Sequence, residues 1–362
     1  TAPSSKSPPP TSSTHVAHMT IQSQPIPAPD EKITPLERPS IKAIPPARDR
    51  LQSTILVWIA IPTLCYLTLK TFHSIVTADG WAYLLLDHTM ATLVKTTAVS
   101  IAFACLVWLL KASTPLGAVC GGMMCLLIAE FSQGLAKQSL FQSGITPLAL
   151  LFVLTFIATR LGRKQKAAAG LAEGRKGRSA AQVVANLGTA ALFSSLWGEN
   201  ISGWLFTVRS GSFGFAYSGR EGHILYMHVL WLPMLAALAE ATADTVSSEI
   251  GQAFGGQPIL LTTLRRVPPG TDGAVTLLGT LAGVAAAAVV ALSAIPAMGL
   301  SLSECAVALT AGVAGLFFDS LLGATVERRG WLGNDLVNLS STAFAAALSL
   351  LLLRLTQPIL RN

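Results

Sequence analysis

Charge is what this chain has least of. Only 12% of its 362 residues are Asp, Glu, Lys or Arg, and 51% are hydrophobic, against roughly 25% charged in an average soluble domain. The deficit excludes an ordinary soluble domain and describes a polytopic membrane protein. Cysteine is sparse too: Cys65, Cys105, Cys120, Cys125 and Cys305 all lie inside apolar runs without metal spacing, and read as small core hydrophobes. Aromatic residues make up 7% and are not interleaved with the basic ones, so the net charge of +7 does not point to nucleic acid. The six histidines form no HExxH pair, which leaves a zinc hydrolase without support. No GxSxG elbow occurs. The segment GRKGRS at 174–179 shares only its composition with a Walker A loop, its lysine and spacing being wrong for a P-loop.

What the chain does have is apolar runs. At about 20 residues per crossing, spans are expected near 51–69, 89–110, 115–131, 145–161, 181–206, 224–248, 273–295, 302–323 and 338–356, an all-α protein of about nine transmembrane helices. The run at 181–206 is interrupted by Asn186, Trp197, Glu199 and Asn200 and suits a broken or re-entrant segment. Residues 1–50, rich in Pro, Ser and Thr and without an apolar run, are expected to be a disordered tail. Within that tail the first Met is Met19, so what precedes it suits an upstream start or, as the alternative, an organelle transit peptide. The organisation is then a tail at 1–50, two N-terminal helices at 51–111 and a membrane domain at 112–357.

Lys and Arg mark the cytoplasmic side. With the tail inside, most basic residues fall inside, including the run from Arg160 to Arg178, Arg265, Arg266, Arg328 and Arg329, whereas Lys70, Lys137, Arg209 and Arg220 fall outside. The expected location is a bacterial inner membrane, with N-terminus and site cytoplasmic. That orientation brings the 160–180 loop, the end of the 224–248 helix, a Gly-Pro loop at 262–276 and the 324–337 loop to one face.

These four segments carry the chemistry. The run LAEATADTVSSEIG at 238–251 places Glu240, Asp244 and Glu249 at the end of an otherwise apolar helix. An acid at membrane depth is a functional hypothesis by default. Glu240 and Asp244, four apart, share a helix face, and Glu249 diverges from Asp244. Asp319, in GLFFDSLLGAT, occupies an equivalent place on a second helix running the same way. Oxygen-only ligands at a water-facing helix end suit Mg²⁺, which is held by one or two carboxylates plus substrate phosphates. The plainer alternatives are a solvated helix-end Glu249 and an Asp319 paired with Arg328.

The turn PPGTDG at 268–273 enters a helix that Thr271 or Asp272 can cap, and Gly270 and Gly273 let backbone N–H groups approach an anion. Helix N-termini bind phosphate, and Arg265 and Arg266 upstream can clamp phosphate oxygens. An ordinary capped turn beside positive-inside arginines is the alternative.

Five segments in order, GRSAAQVVAN at 177–186, ADTVSSEIG at 243–251, TTLRRVPPGTDG at 262–273, FDSLLGAT at 318–325 and NDLVN at 334–338, resemble the integral-membrane family known as domain of unknown function 92. That family includes a plant phytyl-phosphate kinase and an animal transmembrane protein 19, and the resemblance covers roughly 112–357. Departures from its pattern are Val246 for Trp, Arg266 for Lys, Ala274 for a second Gly and Glu327 for Gln; none removes a candidate ligand.

The resemblance implies one site containing Asp244, Glu249, Gly270, Thr271, Gly273, Asp319, Asn334, Asp335 and Asn338, with Gln182 and Asn186 as further candidates. It implies phosphoryl transfer from a nucleoside triphosphate, CTP or another, to a membrane isoprenyl monophosphate. In that scheme Asp244 and Asp319 bind Mg²⁺ with Glu249 in support. Arg265, Arg266 and the 270–273 turn, Asp272 included, hold phosphates, and Arg266 acts on the transferring group. Asn186, Asn334, Asp335 and Asn338 complete the polar end. Two rivals stand beside it: a transporter of a small anionic or lipid substrate, whose site would lie nearer the midplane, and a cytidylyltransferase-type enzyme, which would release pyrophosphate.

Overall fold

The computed structural model describes residues 44–77, 90–132, 141–168, 170–171, 177–195 and 220–360. They form ten helices, α1 (Pro46–Thr77), α2 (Met90–Leu109), α3 (Pro115–Phe131), α4 (Ile145–Arg160), α5 (Arg163–Ala168), α6 (Ala180–Phe193), α7 (Arg220–Phe254), α8 (Leu277–Met298), α9 (Leu302–Leu322) and α10 (Asn334–Leu360), and a two-stranded hairpin, β1 (Ile259–Leu260) with β2 (Ala274–Val275). The strands pair antiparallel, Ile259 with Val275 and Leu260 with Ala274. A π-helical turn, Gly323–Glu327, follows α9.

The hub is α7, which packs against α4, α6, α8, α9 and α10. Its middle, from Leu230 to Ala239, is buried on every side, as a helix apolar all round must be. Small residues bring α8 against it. A Cβ on Gly283 would meet the Ala243 carbonyl oxygen at 2.5 Å, and one on Gly279 the Ser247 carbonyl oxygen at 2.5 Å. This is the GxxxG type of close backbone approach used between membrane helices. It fixes the acid-bearing end of α7 beside the start of α8. Outward, the bundle presents large apolar side chains such as Trp58, Leu69, Leu109, Leu281 and Leu355, the surface of a protein solvated by lipid.

Helices stand at each of the nine expected places, but nine crossings are not what the described residues support. Five helices among them, in α1, α2, α8, α9 and α10, are long and apolar enough to cross, and α3, α4 and α6 are shorter apolar helices. The run expected at 181–206 ends as a helix at Phe193, and its remainder from 196 lies outside the described residues, as do residues 1–43 of the tail. The tail's last residues are already helical: α1 begins at Pro46, proline being well suited to a first helical position.

Candidate functional site

Five segments distant in sequence line one polar cavity of about 240 Å³ at a common end of the helices: the start of α6, the end of α7, the hairpin turn, the α9–π-turn junction and the start of α10. Each segment is held by local bonding.

On α6, Ser179 and Gln182 form a reciprocal capping box, and Asn186 donates from Nδ2 to the Gln182 carbonyl at 2.8 Å. Just upstream, Arg178 is pinned to the loop before α3. Its N–H donates to the Ala112 carbonyl at 2.9 Å, and its own carbonyl accepts from Thr114 at 2.9 Å. Its guanidinium reaches the Thr245 hydroxyl at 3.4 Å and is close enough to attract the Asp244 carboxylate.

The hairpin carries the Gly-Pro turn. Thr271 donates its hydroxyl to the Pro268 carbonyl at 2.7 Å, closing the turn on itself. Gly273, at φ +71°, lies flat on the π-turn, where a Cβ would run into the Ala324 N and Ser320 O atoms. Pro269, Gly270, Thr271, Asp272 and Gly273 all line the cavity. Neither Thr271 nor Asp272 caps the following helix. Strand β2 intervenes, and the cap of α8 is Thr276, whose hydroxyl accepts from Gly279 N at 3.1 Å. The capping residue has to sit immediately before the first helical residue, and pairing of Ala274 with Leu260 moves that point four residues on from Asp272, to Thr276. Arg265 and Arg266 are exposed on the hairpin, and neither lines the cavity; the guanidinium in its wall is that of Arg178.

Asp319, on the last turn of α9, accepts from the Ser341 hydroxyl of α10 at 3.2 Å. It shares the cavity lining with Asp244 and Glu327. The alternative partner Arg328 is exposed. Asn334 and Asn338, one turn apart on α10, line the cavity. Asp335 does not: it accepts from Ser53 of α1 at 2.6 Å. The same strip of α1 holds the turn before α10, through Gln52 to the Trp331 carbonyl at 2.8 Å and from Gly333 N to Gln52 at 2.7 Å.

Glu249 lines the cavity but is engaged on its other side, in a buried ion pair with Lys166 of α5. Asp244 and Asp319 line the same cavity from two different helices, with Asp272 and Glu327 also in its wall. Among the described residues no group of three or more His, Cys, Asp and Glu is disposed to hold a metal ion. Two carboxylates with Asn and Ser oxygens nearby fit a hard cation that keeps waters and takes its remaining ligands from phosphate.

Sequence reasoning missed Arg178, Glu327 and the serines Ser247 and Ser248, all of which line the cavity. Arg178 had a signal, since it directly precedes the capping pair Ser179 and Gln182. Glu327 had one as well, being a buried acid at a departure from the family pattern.

The family model described as integral membrane protein DUF92 matches residues 98–346. An uncharacterized membrane protein of Synechocystis is 32% identical over 206 residues, 56% of this chain and 70% of its own length. One of Methanocaldococcus jannaschii is 41% identical over 119 residues, 33% of this chain and 49% of its own. The chloroplastic protein VTE6 of Arabidopsis thaliana is 30% identical over 213 residues, 58% of each chain. No solved structure matches.

Proposed function

Starting from the chain's membership of the integral-membrane family DUF92, we propose that it is an isoprenyl-phosphate kinase, transferring the γ-phosphoryl of a nucleoside triphosphate to a membrane isoprenyl monophosphate. The observation that carries this reading is the meeting of Asp244 and Asp319 in a cavity whose other walls include a glycine turn, an arginine and three asparagines. The family resemblance to a plant phytyl-phosphate kinase supports it, and so does the alignment with VTE6 over more than half of this chain.

An acceptor monophosphate has a second pKa of about 6, by analogy with phosphorylated side chains. Its oxygen is thus already anionic at neutral pH. That oxygen attacks the γ-phosphorus, a new P–O bond forms, and the bond from γ-phosphorus to the β,γ-bridging oxygen breaks, releasing the nucleoside diphosphate. No proton has to be removed, so a site without a histidine base suffices, and catalysis reduces to positioning and charge neutralisation. Asp244 and Asp319 would hold Mg²⁺, whose chemistry when bound would be to neutralise phosphate charge. Arg178 binds the transferring group from beside Thr245, the 270–273 turn offers backbone N–H groups, and Asn334 and Asn338 orient oxygens from α10. Glu249, tied to Lys166, holds α5 against the mouth of the site. The Lys- and Arg-rich side is assigned to the nucleotide, in a bacterial inner membrane or the corresponding membrane of a chloroplast.

A cytidylyltransferase would use the same groups but attack the α-phosphorus and release pyrophosphate. The test incubates purified protein with Mg²⁺, γ-labelled CTP or ATP and a panel of isoprenyl monophosphates, with chromatographic separation of the lipids. Label in an isoprenyl diphosphate, lost by at least 10²-fold in a folded Asp244→Asn variant, is the expected result. Full activity in that variant would refute the metal-binding role, and unlabelled lipid with pyrophosphate release would establish the transferase instead.

A further inference from the structure

The polar cavity does not end at its own walls. A second cavity, of about 1040 Å³, shares Arg178, Gln182, Asn186, Glu249, Asp272 and Asn334 with it and runs between α2, α3, α4 and α6. Its character changes along the way. At the shared end it is lined by amides and charges, and Lys111, Arg160 and Arg163 stand at its rim. Farther in, the walls are Phe103 and Val107 of α2, Leu148, Leu151, Phe152 and Phe156 of α4. Phe103 and Phe152 meet edge to face at 5.4 Å, Phe152 stacks on Phe156 at 5.5 Å, and Arg160 caps this aromatic wall, its guanidinium 4.1 Å from the Phe156 ring centroid.

From Arg160 at the rim to Leu148 is twelve residues of helix, about 18 Å at 1.5 Å per residue, roughly half of the ~30 Å hydrocarbon core. A nucleotide has no use for such an apolar channel. A small anion transported across the membrane would find its inner half hostile, because desolvating a charge there is costly. The polarity gradient, anion-binding at one end and aromatic at the other, is that of an amphiphile with a phosphate head and an unsaturated hydrocarbon tail.

We propose that the acceptor's isoprenyl tail is held inside the protein, in this channel between α2, α3, α4 and α6, with its phosphate delivered to the Asp244 and Asp319 end. The proposal rests on the kinase reading above and adds the subsite that selects the lipid. It assigns α2 a function beyond anchoring, as one wall of the tail channel. Gly121 of α3 lines the channel, and a Cβ there would make only an ordinary contact with Val183 Cγ1, at 3.7 Å, so a larger side chain can be carried there to narrow the channel without a backbone collision at its base.

The test compares wild type with Gly121→Leu on five-carbon and twenty-carbon isoprenyl monophosphates, and maps a photoreactive twenty-carbon isoprenyl phosphate on the wild-type protein by peptide sequencing. Gly121→Leu is expected to lower kcat/KM for the long acceptor by 10-fold or more while leaving the five-carbon acceptor within about twofold. Crosslinks are expected on α2, α4 and α6. A ratio of the two kcat/KM values in the variant unchanged from wild type, crosslinks confined to the lipid-facing sides of α1 or α8, or equal labelling by a photoreactive phospholipid would overturn the proposal. Crosslinks in the channel without label transfer from any nucleotide would uphold tail binding and refute the kinase reading, so the two fail separately. Where Gly121→Leu does not fold, Phe152→Ala serves, with the opposite expectation of a relative gain on bulkier tails.

Discussion

Arg178 and Gly273 show how single residues set the site. Arg178 lines both cavities and reaches the hydroxyl of Thr245, the neighbour of Asp244, whereas Arg266 stands exposed on the hairpin. Arg178→Ala is therefore expected to lower kcat by about 10²-fold, the usual cost of losing one preorganised charge-stabilising donor, while Arg266→Ala stays within a few-fold. Steady-state kinetics on both variants checks this, and the reverse order would return the catalytic role to the hairpin arginine. At Gly273 the backbone is left-handed and packed on the π-turn. Gly273→Ala incurs about 1–2 kcal/mol from the backbone alone, plus the collision with Ala324. It is expected to lower the thermal midpoint in detergent and to displace Asp319, so that activity falls further than stability does.

At the scale of elements, α1 behaves as a brace for the site, although it lies outside the matched 98–346 region. Gln52 bonds both sides of the turn that leads into Asn334, and Arg48 adds a bond to the Gly330 carbonyl at 2.8 Å. Gln52→Ala removes two bonds worth about 1 kcal/mol each. The expected outcome is a small loss of stability and a larger rise in KM, because Asn334 and Asn338 start from that turn. An unchanged KM would mean that α10 is positioned by its packing on α7, α9 and α6 alone. The π-turn after α9 has a comparable role. It widens the helix end so that Gly323 and Gly273 touch through their backbones, and π-turns recur at functional sites for the same geometric reason.

At the scale of the whole molecule, the segments that line the site are the same segments that carry the basic loops. If the side of the membrane follows the positive-inside bias, then single cysteines at positions 265 and 328, in a chain lacking its native five, are labelled from the cytoplasmic side by an impermeant maleimide. A cysteine at position 69, exposed on α1, is expected to resist labelling from either side. Labelling of 265 and 328 from opposite sides would break the common face on which the site depends.

The sequence by itself determined the all-helical membrane class, the places of the helices, and the two acids at membrane depth, because hydropathy and the cost of a buried charge are properties of local composition. It also marked Gly270, Gly273, Asn334 and Asn338, whose residue types have few other reasons to recur at helix ends. Only the tertiary structure decided which polar residues meet. Whether Arg178 or Arg266 enters the cavity, whether Asp335 serves the site or ties α1, and whether Glu249 is engaged by Lys166 depend on contacts between segments tens to hundreds of residues apart. The pairing of β1 with β2 likewise moved the cap of α8 to Thr276, since a strand register is set by the partner strand and not by the turn that precedes it. The tail channel is of the same kind: four helices that are each simply apolar in sequence enclose a space only when packed, and nothing in any one of them records it.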